Sequence, residues 1–340
     1  MTPEALDLAA LRPRLPSPLR TVEDERFTRR GVRLLLKRDD LIHTALPGNK
    51  WRKLEPNLRA ASDGGHLALL TFGGAYSNHL RATAAAGRLL GFMTVGVVRG
   101  DELATRPLNP SLAACAADGM RLRFLDRAAY RRKTEPSVLR EILSTAADAL
   151  AVPRERVYAV PEGGSNSLAA RGCTALGREL RGAADVVGVA CGTGGTLAGL
   201  AAGLGPGQRA VGFPVLKGGF LAGEVRALQV AAFGGPRGDW SLDERFHGGG
   251  YARTSPAADA FAADFEDRHG LPVERLYVAK MLHGLTTLAE EGAFPPGSTV
   301  AAVVTGRPPD PVVTAGPGGE SESESDRDRD GGGGQSVSSR

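Results

Sequence analysis

Short apolar runs alternate with amphipathic stretches through the middle of the chain, and this alternation constrains the fold more than any other feature. The first set of runs predicts four strands, at Leu67–Phe72, Thr94–Val98, Leu122–Leu125 and Val157–Val160. Helical periodicity fills the gaps, around 77–90, 111–117 and 137–151. A strand–helix–strand order favours parallel pairing, because the helix returns the chain to the same end of the sheet.

The same alternation resumes after Gly163 and Gly164. It predicts strands at Val186–Ala190, Ala210–Pro214 and Thr299–Val304, with helices near 168–180, 196–204, 220–233 and 278–292. We therefore predict an α/β protein with two parallel-sheet domains, each with helices on both faces of its sheet. A chain of 340 residues is long enough for two such domains.

The charge pattern argues against nucleic-acid and membrane partners. The net charge is +4, but the positive residues are scattered, and only five tyrosines and two tryptophans could stack on bases. No apolar run approaches the roughly 20 residues of a membrane span, and residues 1–25 lack a signal-peptide core.

The cysteines, Cys115, Cys173 and Cys191, are too widely spaced for a disulfide framework or a zinc site. We expect a cytoplasmic protein without a metal site.

A glycine-rich turn at 191–196 follows the predicted strand Val186–Ala190 and opens a helix. Its glycines, Gly192, Gly194 and Gly195, let the backbone approach a phosphate, and a helix N-terminus offers N–H donors and a positive dipole. Thr193 and Thr196 add hydroxyl groups. No Gly-Lys-Ser/Thr follows, and the spacing departs from G-x-G-x-x-G, so the turn indicates a phosphate without saying which.

Lys50 is the candidate for a covalent link to an aldehyde cofactor. The chain has only six lysines, at 37, 50, 53, 133, 217 and 280, and arginine cannot form a Schiff base. Lys50 follows Gly48-Asn49, a pair that permits a tight turn close to a ligand. An aldehyde on Lys50 and a phosphate in the 191–196 turn together predict a pyridoxal phosphate site. Taken alone, Lys50 reads equally well as a solvated loop lysine.

A second strand-to-helix turn contains Ser77, Asn78 and His79. The functional interpretation places Ser77 and Asn78 over a ligand, and the structural interpretation makes them an ordinary helix N-cap. His79 could be a base, although a single histidine is more often structural. Tyr251 and Tyr277 could transfer protons in the C-terminal half, with packing as the alternative for each.

Taken together, the motifs resemble the 1-aminocyclopropane-1-carboxylate deaminase and D-cysteine desulfhydrase family, pyridoxal phosphate enzymes of fold type II. The resemblance covers about residues 12–306. The matching stretches are KRDDL at Lys37–Leu41, GNKWRKLE at Gly48–Glu55, GGAYSNH at Gly73–His79, PEGGSN at Pro161–Asn166, CGTGGTLAGL at Cys191–Leu200, GGGYAR at Gly248–Arg253, YVAKMLHGL at Tyr277–Leu285 and FPPGSTVAAVVTG at Phe294–Gly306.

The resemblance implies a role for each matched position. Lys50 would bind the cofactor, Asn78 would contact its ring hydroxyl, and residues 192–196 would hold its phosphate. Ser77 would lie by the substrate carboxylate, Tyr251 and Tyr277 would flank the substrate, and Thr305 would lie near the ring nitrogen. The fold would place the cofactor in the cleft between a large domain, 1–53 and 163–306, and a small inserted domain, 54–162.

One departure from the family pattern bears on the reaction. The deaminases carry a glutamate after the matched Tyr277, and here the residue is Val278. We therefore predict β-elimination from a small amino acid, with D-cysteine as the leading substrate and a 2-oxo acid and ammonia as products. Ring opening of 1-aminocyclopropane-1-carboxylate is the alternative. A non-catalytic cofactor-binding protein and a nicotinamide-dependent oxidoreductase are further readings, and the second leaves Gly48–Lys53 unexplained.

The C-terminal composition and the assembly complete the expectations. Residues 307–340 contain mixed charges, serine and glycine with little to bury, so we predict a disordered tail. We also expect a homodimer.

Overall fold

The smaller of two sheets follows directly from the first set of apolar runs. A computed structural model describes residues 8–46, 48–250 and 253–307. Four parallel strands pair in the order β5-β4-β3-β6. They are β3 (Ala68–Gly73), β4 (Met93–Arg99), β5 (Arg121–Leu125) and β6 (Val157–Val160), and the intervening helices are α3 (Asn78–Leu90), α4 (Pro110–Ala117), α5 (Arg127–Arg131) and α6 (Pro136–Leu150).

Strand β3 is buried on both faces because helices cover both. Leu69 packs with Trp51 and Ala82 in one cluster, whereas Leu70 packs with Ala146 in another. Successive side chains point to opposite faces of a strand, so a strand covered on both sides has no polar face. This explains why its sequence is an apolar run rather than an alternation.

The larger sheet has six strands in the order β1-β2-β10-β7-β8-β9. All neighbours are parallel except β1 and β2, which are antiparallel. The strands are β1 (Leu19–Val22), β2 (Arg33–Lys37), β7 (Val186–Cys191), β8 (Arg209–Pro214), β9 (Asp239–Leu242) and β10 (Thr299–Val303). The associated helices are α1 (Glu25–Thr28), α2 (Lys50–Asp63), α7 (Ser167–Glu179), α8 (Gly195–Gly203), α9 (Leu221–Phe233), α10 (Pro256–His269) and α11 (Val278–Glu290).

The two faces of the larger sheet have separate cores. On one face Leu34 and Leu36 of β2 pack with Phe265 of α10 and Leu285 of α11. On the other, Val187 and Val189 of β7 pack with residues of α7, α8 and α9. The predicted α/β class with two sheets and helices on both faces is confirmed. Strands β1, β2 and β9 are additions to the predicted ones, and β1 is antiparallel.

The structure bears on other predictions to different extents. All strands of the smaller sheet lie within 54–162, but the predicted boundary after residue 53 falls inside α2, and the division into domains stays a prediction. The predicted tail lies outside the described residues from 308 onward, while Arg307 pairs with Asp40 at 3.4 Å. Within the described residues, no helix has the length and apolar character needed to cross a bilayer.

Candidate active site

A cavity of about 320 Å³ collects most of the residues that the sequence singled out. It lies where strands β3 and β7 end and where helices α2, α3 and α8 begin. Its walls include Lys50, Ser77, Asn78, Gly192, Thr193, Gly194, Gly195, Thr196, Tyr277 and Thr305. The predicted Tyr251 lies outside the described residues. Parallel α/β folds bind ligands at the carboxyl ends of their strands, which is where this cavity lies.

Lys50 is the first residue of α2, so the turn itself lies at Gly48 and Asn49. Gly48 has φ +68°, and any Cβ there would overlap the Thr305 carbonyl. The Asn49 N–H donates to that carbonyl at 3.0 Å, which ties the turn to the end of β10. The Lys50 ammonium donates to Asn49 Oδ1 at 3.2 Å. Desolvation lowers the pKa of Lys50, and only part of this is offset by Cys173 and Glu274.

Three of the other lysines have partners of their own. Lys37 pairs with Glu179 at 2.7 Å, and Lys133 pairs with Glu162 at 3.0 Å. Lys280 is buried and donates to the carbonyls of His247 at 2.8 Å and Gly250 at 3.2 Å, just before Tyr251. Of the six lysines, Lys50 and Lys53 line the cavity.

The turn between β7 and α8 has the geometry of an anion site. Gly194 occupies the N-cap position with φ +78° and offers no side-chain acceptor to the helix N–H groups. The first N–H groups of a helix lack intrahelical partners, so they stay available to a ligand. Thr196 Oγ1 accepts from Asn49 Nδ2 at 3.2 Å, which joins this turn to the one before Lys50.

Lys53 is a cavity residue to which the sequence analysis gave no role. Its ammonium donates to the Gly163 carbonyl at 2.5 Å and to Ser165 Oγ at 2.7 Å, and Ser165 Oγ lies 2.5 Å from Thr193 Oγ1. A Cβ on Gly195 would lie 3.1 Å from Lys53 Cε, so the amine stands beside the anion turn. Burial, and then the charge of Lys50, lower the pKa of Lys53 to about 7. The three-residue spacing of the two lysines on one helix face was the available signal.

The turn before α3 is both a helix cap and a cavity wall. Ser77 Oγ accepts from the Leu80 N–H at 3.3 Å, so Ser77 is the N-cap of α3, which is compatible with a ligand role. His79 is buried, and its Nε2 lies 2.8 Å from Thr71 Oγ1, which itself donates to the Val160 carbonyl. Burial, followed by the charges of Lys53 and Lys50, lowers the pKa of His79 well below its ordinary value. A neutral ring held by Thr71 favours the structural interpretation, although His79 also lines the cavity and its buried Nδ1 has no partner among the described residues.

The wall formed by the C-terminal half contains Tyr277 and Thr305 but not residue 278. Tyr277 and Thr305 line the cavity, whereas Val278 is 1% exposed and belongs to the apolar core. The nearby Glu274 is buried, and its carboxylate accepts from the N–H groups of Leu276, Tyr277 and Val278 at 2.8, 2.8 and 3.1 Å. Burial raises the pKa of Glu274, against the effect of these three donors. Glu274 therefore caps α11, a role that its sequence context did not announce.

The residues present fit pyridoxal phosphate. The glycine-capped turn suits a phosphate, the Lys50 amine suits an aldehyde, and Asn78 and Thr305 offer polar groups to a ring. Arg99, Glu162, Phe220 and Glu224 also line the cavity and were not expected there. Among the described residues, no group of three or more His, Cys, Asp or Glu side chains could hold a metal ion.

Comparison with known proteins supports this reading. Residues 13–306 match the family model described as pyridoxal-phosphate dependent enzyme. A Thermotoga maritima protein, provisionally named a 1-aminocyclopropane-1-carboxylate deaminase, is 36% identical over 51% of this chain and 54% of its own length. An Arabidopsis thaliana mitochondrial protein, named as a bifunctional D-cysteine desulfhydrase and 1-aminocyclopropane-1-carboxylate deaminase, is 33% identical over 51% of this chain and 45% of its own. The chain thus spans about half the length of these curated relatives.

A solved structure extends the likeness over more of the chain. The structure titled as a homologue of ACC deaminase superposes with a TM-score of 0.72 and 26% identity, covering 90% of this chain and 95% of that one. A hydrogen sulfide-producing enzyme from Fusobacterium nucleatum has a TM-score of 0.62 and 12% identity, over 86% of this chain and 95% of its own. At that identity the second match shows the fold alone.

Proposed function

Because the chain belongs to the pyridoxal-phosphate dependent enzymes, we propose that it removes a β-substituent from a small amino acid and releases a 2-oxo acid and ammonia. D-cysteine is the substrate we favour; with water it would give pyruvate, ammonia and sulfide. The names of the two curated relatives support this substrate class. The cavity, at about 320 Å³, lies at the small end of ligand sites, which favours a small amino acid.

The observation that carries the proposal is the meeting of three helix starts in one cavity. Helix α2 brings Lys50, α3 brings Ser77 and Asn78, and α8 brings the 192–196 turn. Bound pyridoxal phosphate supplies an electron-withdrawing ring that makes the α-proton of an attached amino acid acidic. The N–H groups and hydroxyls of residues 192–196 bind the phosphate. The positive end of α3 and the Ser77 hydroxyl hold the substrate carboxylate.

Lys50 acts as the base at the α-carbon. Desolvation lowers its pKa, so a larger fraction of the amine is neutral near pH 7 than for an exposed lysine. Lys53 has its own oxygen partners, Gly163 and Ser165, and stays with the phosphate turn. Tyr277 and the predicted Tyr251 flank the substrate and deliver or accept a proton at its β-substituent.

Val278 favours elimination over ring opening. Residue 278 is a buried valine, so it lacks the carboxylate that the deaminases carry there. The Thr305 hydroxyl is then the polar group that lies near the ring nitrogen. A carboxylate keeps a ring nitrogen protonated better than a hydroxyl does, because it bears a charge. A thiolate leaves with its own electron pair and needs less of this support than a strained carbon ring.

The test compares four amino acids with the purified holoenzyme. We expect D-cysteine to give the highest kcat/KM, above L-cysteine, D-serine and 1-aminocyclopropane-1-carboxylate, with pyruvate and sulfide formed in equal amounts. Borohydride followed by peptide mapping should fix the cofactor to Lys50. The highest kcat/KM for the cyclopropane substrate would overturn elimination, turnover of none would favour the non-catalytic alternative, and labelling of Lys53 would overturn the lysine assignment.

Three broader expectations belong to the same proposal. The protein is cytoplasmic and homodimeric, and its 54–162 segment forms a domain inserted into the larger one. Cys115, Cys173 and Cys191 are all free and buried, in keeping with a reducing compartment. Sedimentation equilibrium would test the dimer, and cell fractionation would test the location.

A further inference from the structure

A buried charge network stands directly behind the helix that carries Lys50. Arg52 donates through Nε and Nη2 to both oxygens of Asp39, at 2.8 and 2.9 Å. The same guanidinium donates through Nη1 and Nη2 to both oxygens of Glu179, at 2.8 Å each. Side-chain exposure is 1% for Arg52, 0% for Asp39 and 15% for Glu179. One guanidinium therefore holds two carboxylates in the fixed fork geometry that only arginine offers.

Lys37 and Ser17 complete the network, and its charges then sum to zero. Lys37 pairs with Glu179 at 2.7 Å and donates to the Ser17 carbonyl at 2.6 Å. Ser17 Oγ donates to Asp39 Oδ1 at 2.6 Å. Two cations and two anions cancel, and each is held by several hydrogen bonds, which is what a buried ionic cluster needs. The network joins the end of β2, the start of α2 and the end of α7.

The backbone of α2 is weak at the same residue. Pro56, four residues after Arg52, has no N–H to donate to the Arg52 carbonyl. That carbonyl packs against Gly172 of α7 so closely that any Cβ on Gly172 would overlap it. The first turn of α2, with Lys50 and Lys53 on its cavity side, thus lacks a helical hydrogen bond where the Arg52 side chain is anchored.

We infer that Arg52 is a positioning residue for Lys50: its paired ion bridges to Asp39 and Glu179 hold the first turn of α2 in place, so that the Lys50 amine points into the cavity. The inference rests on the proposed function, which gives Lys50 its role. Arg52 itself does not line the cavity. The network also accounts for residues of two sequence motifs, because KRDDL contributes Lys37 and Asp39 while GNKWRKLE contributes Arg52.

The test is Arg52→Lys in the full-length holoenzyme. The charge survives, but an ammonium cannot hold two carboxylates by paired bonds. We expect kcat to fall by about tenfold to a hundredfold, because small misplacements of a reacting group cost that much. KM should change much less. In the cofactor-free protein, the pH midpoint for modification of Lys50 by an amine reagent should rise towards that of an exposed lysine, because water reaches the loosened turn.

The chain offers a matched control in Arg26. It also joins two carboxylates, Asp24 at 2.6 Å and Asp264 at 2.8 Å, between α1 and α10, and none of the three lines the cavity. Arg26→Lys should lower the melting temperature, by less than Arg52→Lys because Asp264 is 40% exposed, and leave both kcat and the Lys50 midpoint unchanged. Equal loss of kcat in the two variants, or a wild-type Lys50 midpoint in Arg52→Lys, would overturn the inference.

A milder pair of variants covers a failure to fold. Glu179→Gln removes one of the two carboxylates at a partly exposed site, and Asp264→Asn does the same for Arg26. Glu179→Gln should lower kcat and raise the Lys50 midpoint, by less than Arg52→Lys does, and Asp264→Asn should change neither. Equal kcat values and equal midpoints in these two variants would overturn the inference. The amine-reagent midpoint is independent of the reaction catalysed. If borohydride labels another lysine while the midpoint still shifts, the proposed role of Lys50 fails, and the positioning of the Lys50 amine by Arg52 stands.

Discussion

Two strand-to-helix turns line the same cavity, and they treat the free N–H groups of their helices differently. Before α3, the Ser77 hydroxyl accepts from the Leu80 N–H, so the protein satisfies one of these donors itself. Before α8, Gly194 offers no side chain and leaves the donors open. The comparison shows how one architecture makes two kinds of anion site, since a glycine cap reserves more of the helix N-terminus for a ligand.

The ionisable groups beside the two turns also favour the α8 turn as the phosphate site. Lys53 stands next to the α8 turn, whereas the α3 turn is followed by His79, whose pKa burial holds well below its ordinary value. A phosphate carries close to two negative charges and a substrate carboxylate carries one. The turn with more open donors and a lysine amine beside it is thus the one assigned to the phosphate.

The largest effect is expected from a negative charge in the α8 turn. A Cβ on Gly195 would lie 2.6 Å from Ser165 Oγ and 3.1 Å from Lys53 Cε, so Gly195→Asp places a carboxylate beside the phosphate position. Like charges about 4 Å apart repel by about 4 kcal/mol at an effective dielectric of 20, so cofactor affinity should fall by at least a hundredfold. Gly235→Asp, at a site with open space, is the control. Titration of cofactor absorbance measures both, and equal affinities would place the phosphate elsewhere.

The next effect concerns Lys53 and the pH dependence of stability. Its pKa is about 7 in the folded state against 10.5 ordinarily, because burial and Lys50 disfavour the charged form. Between these values the unfolded chain holds a proton that the folded protein lacks, so the free energy of unfolding rises with pH from about 7 to 10.5. In cofactor-free Lys53→Met this rise should be smaller. Melting temperatures across the range measure it, with the exposed Lys217→Met as a control that keeps the wild-type rise.

The smallest effect separates the cap from the chemistry at Ser77. Ser77→Ala removes a helix N-cap and should cost about 1 kcal/mol of stability. Ser255→Ala, which removes the cap of α10, should cost about the same. We expect only the first to lower kcat, and neither to alter cofactor affinity, because the α8 turn holds the phosphate. Matching kcat values in the two variants would reduce Ser77 to a cap.

The sequence predicted the strands of the strand–helix alternation and missed β1, β2 and β9. Strand β2 was missed although four of its five residues are buried, because it precedes that alternation. Strand β3 is apolar throughout because helices cover both faces, and it was found to within a residue at each end. Strand β1 has four residues with one buried, and β9 is as short and has none fully buried, so neither carries a readable pattern. Helix α2 was missed because Pro56 and several charged residues interrupt its apolar stripe.

The candidate site was predictable where one segment carries the information. The 192–196 turn and the Ser77 cap follow from local sequence, since strand, glycine or cap residue, and helix are adjacent. Arg52 and Lys53 were not predicted as parts of the site, because their partners Asp39, Glu179 and Ser165 lie 13, 127 and 112 residues away. The Glu274 cap was also missed, although α11 was predicted from about residue 278, because the carboxylate reaches the N–H groups of Leu276, Tyr277 and Val278 only through the conformation of the loop before the helix. Such roles depend on the folded arrangement rather than on spacing.

The place of β10 in the larger sheet has a consequence for how the protein is made. This strand comes late in the chain, at 299–303, yet it pairs with β2 on one side and β7 on the other. Until a ribosome has released those residues, β2 and β7 each keep an unpaired edge, and the Thr305 carbonyl that anchors the turn before Lys50 does not exist. The smaller sheet, made entirely from residues 68–160, can assemble long before that. The turn before Lys50 therefore gains its anchor, and the middle of the larger sheet closes, only after β10 has been synthesised.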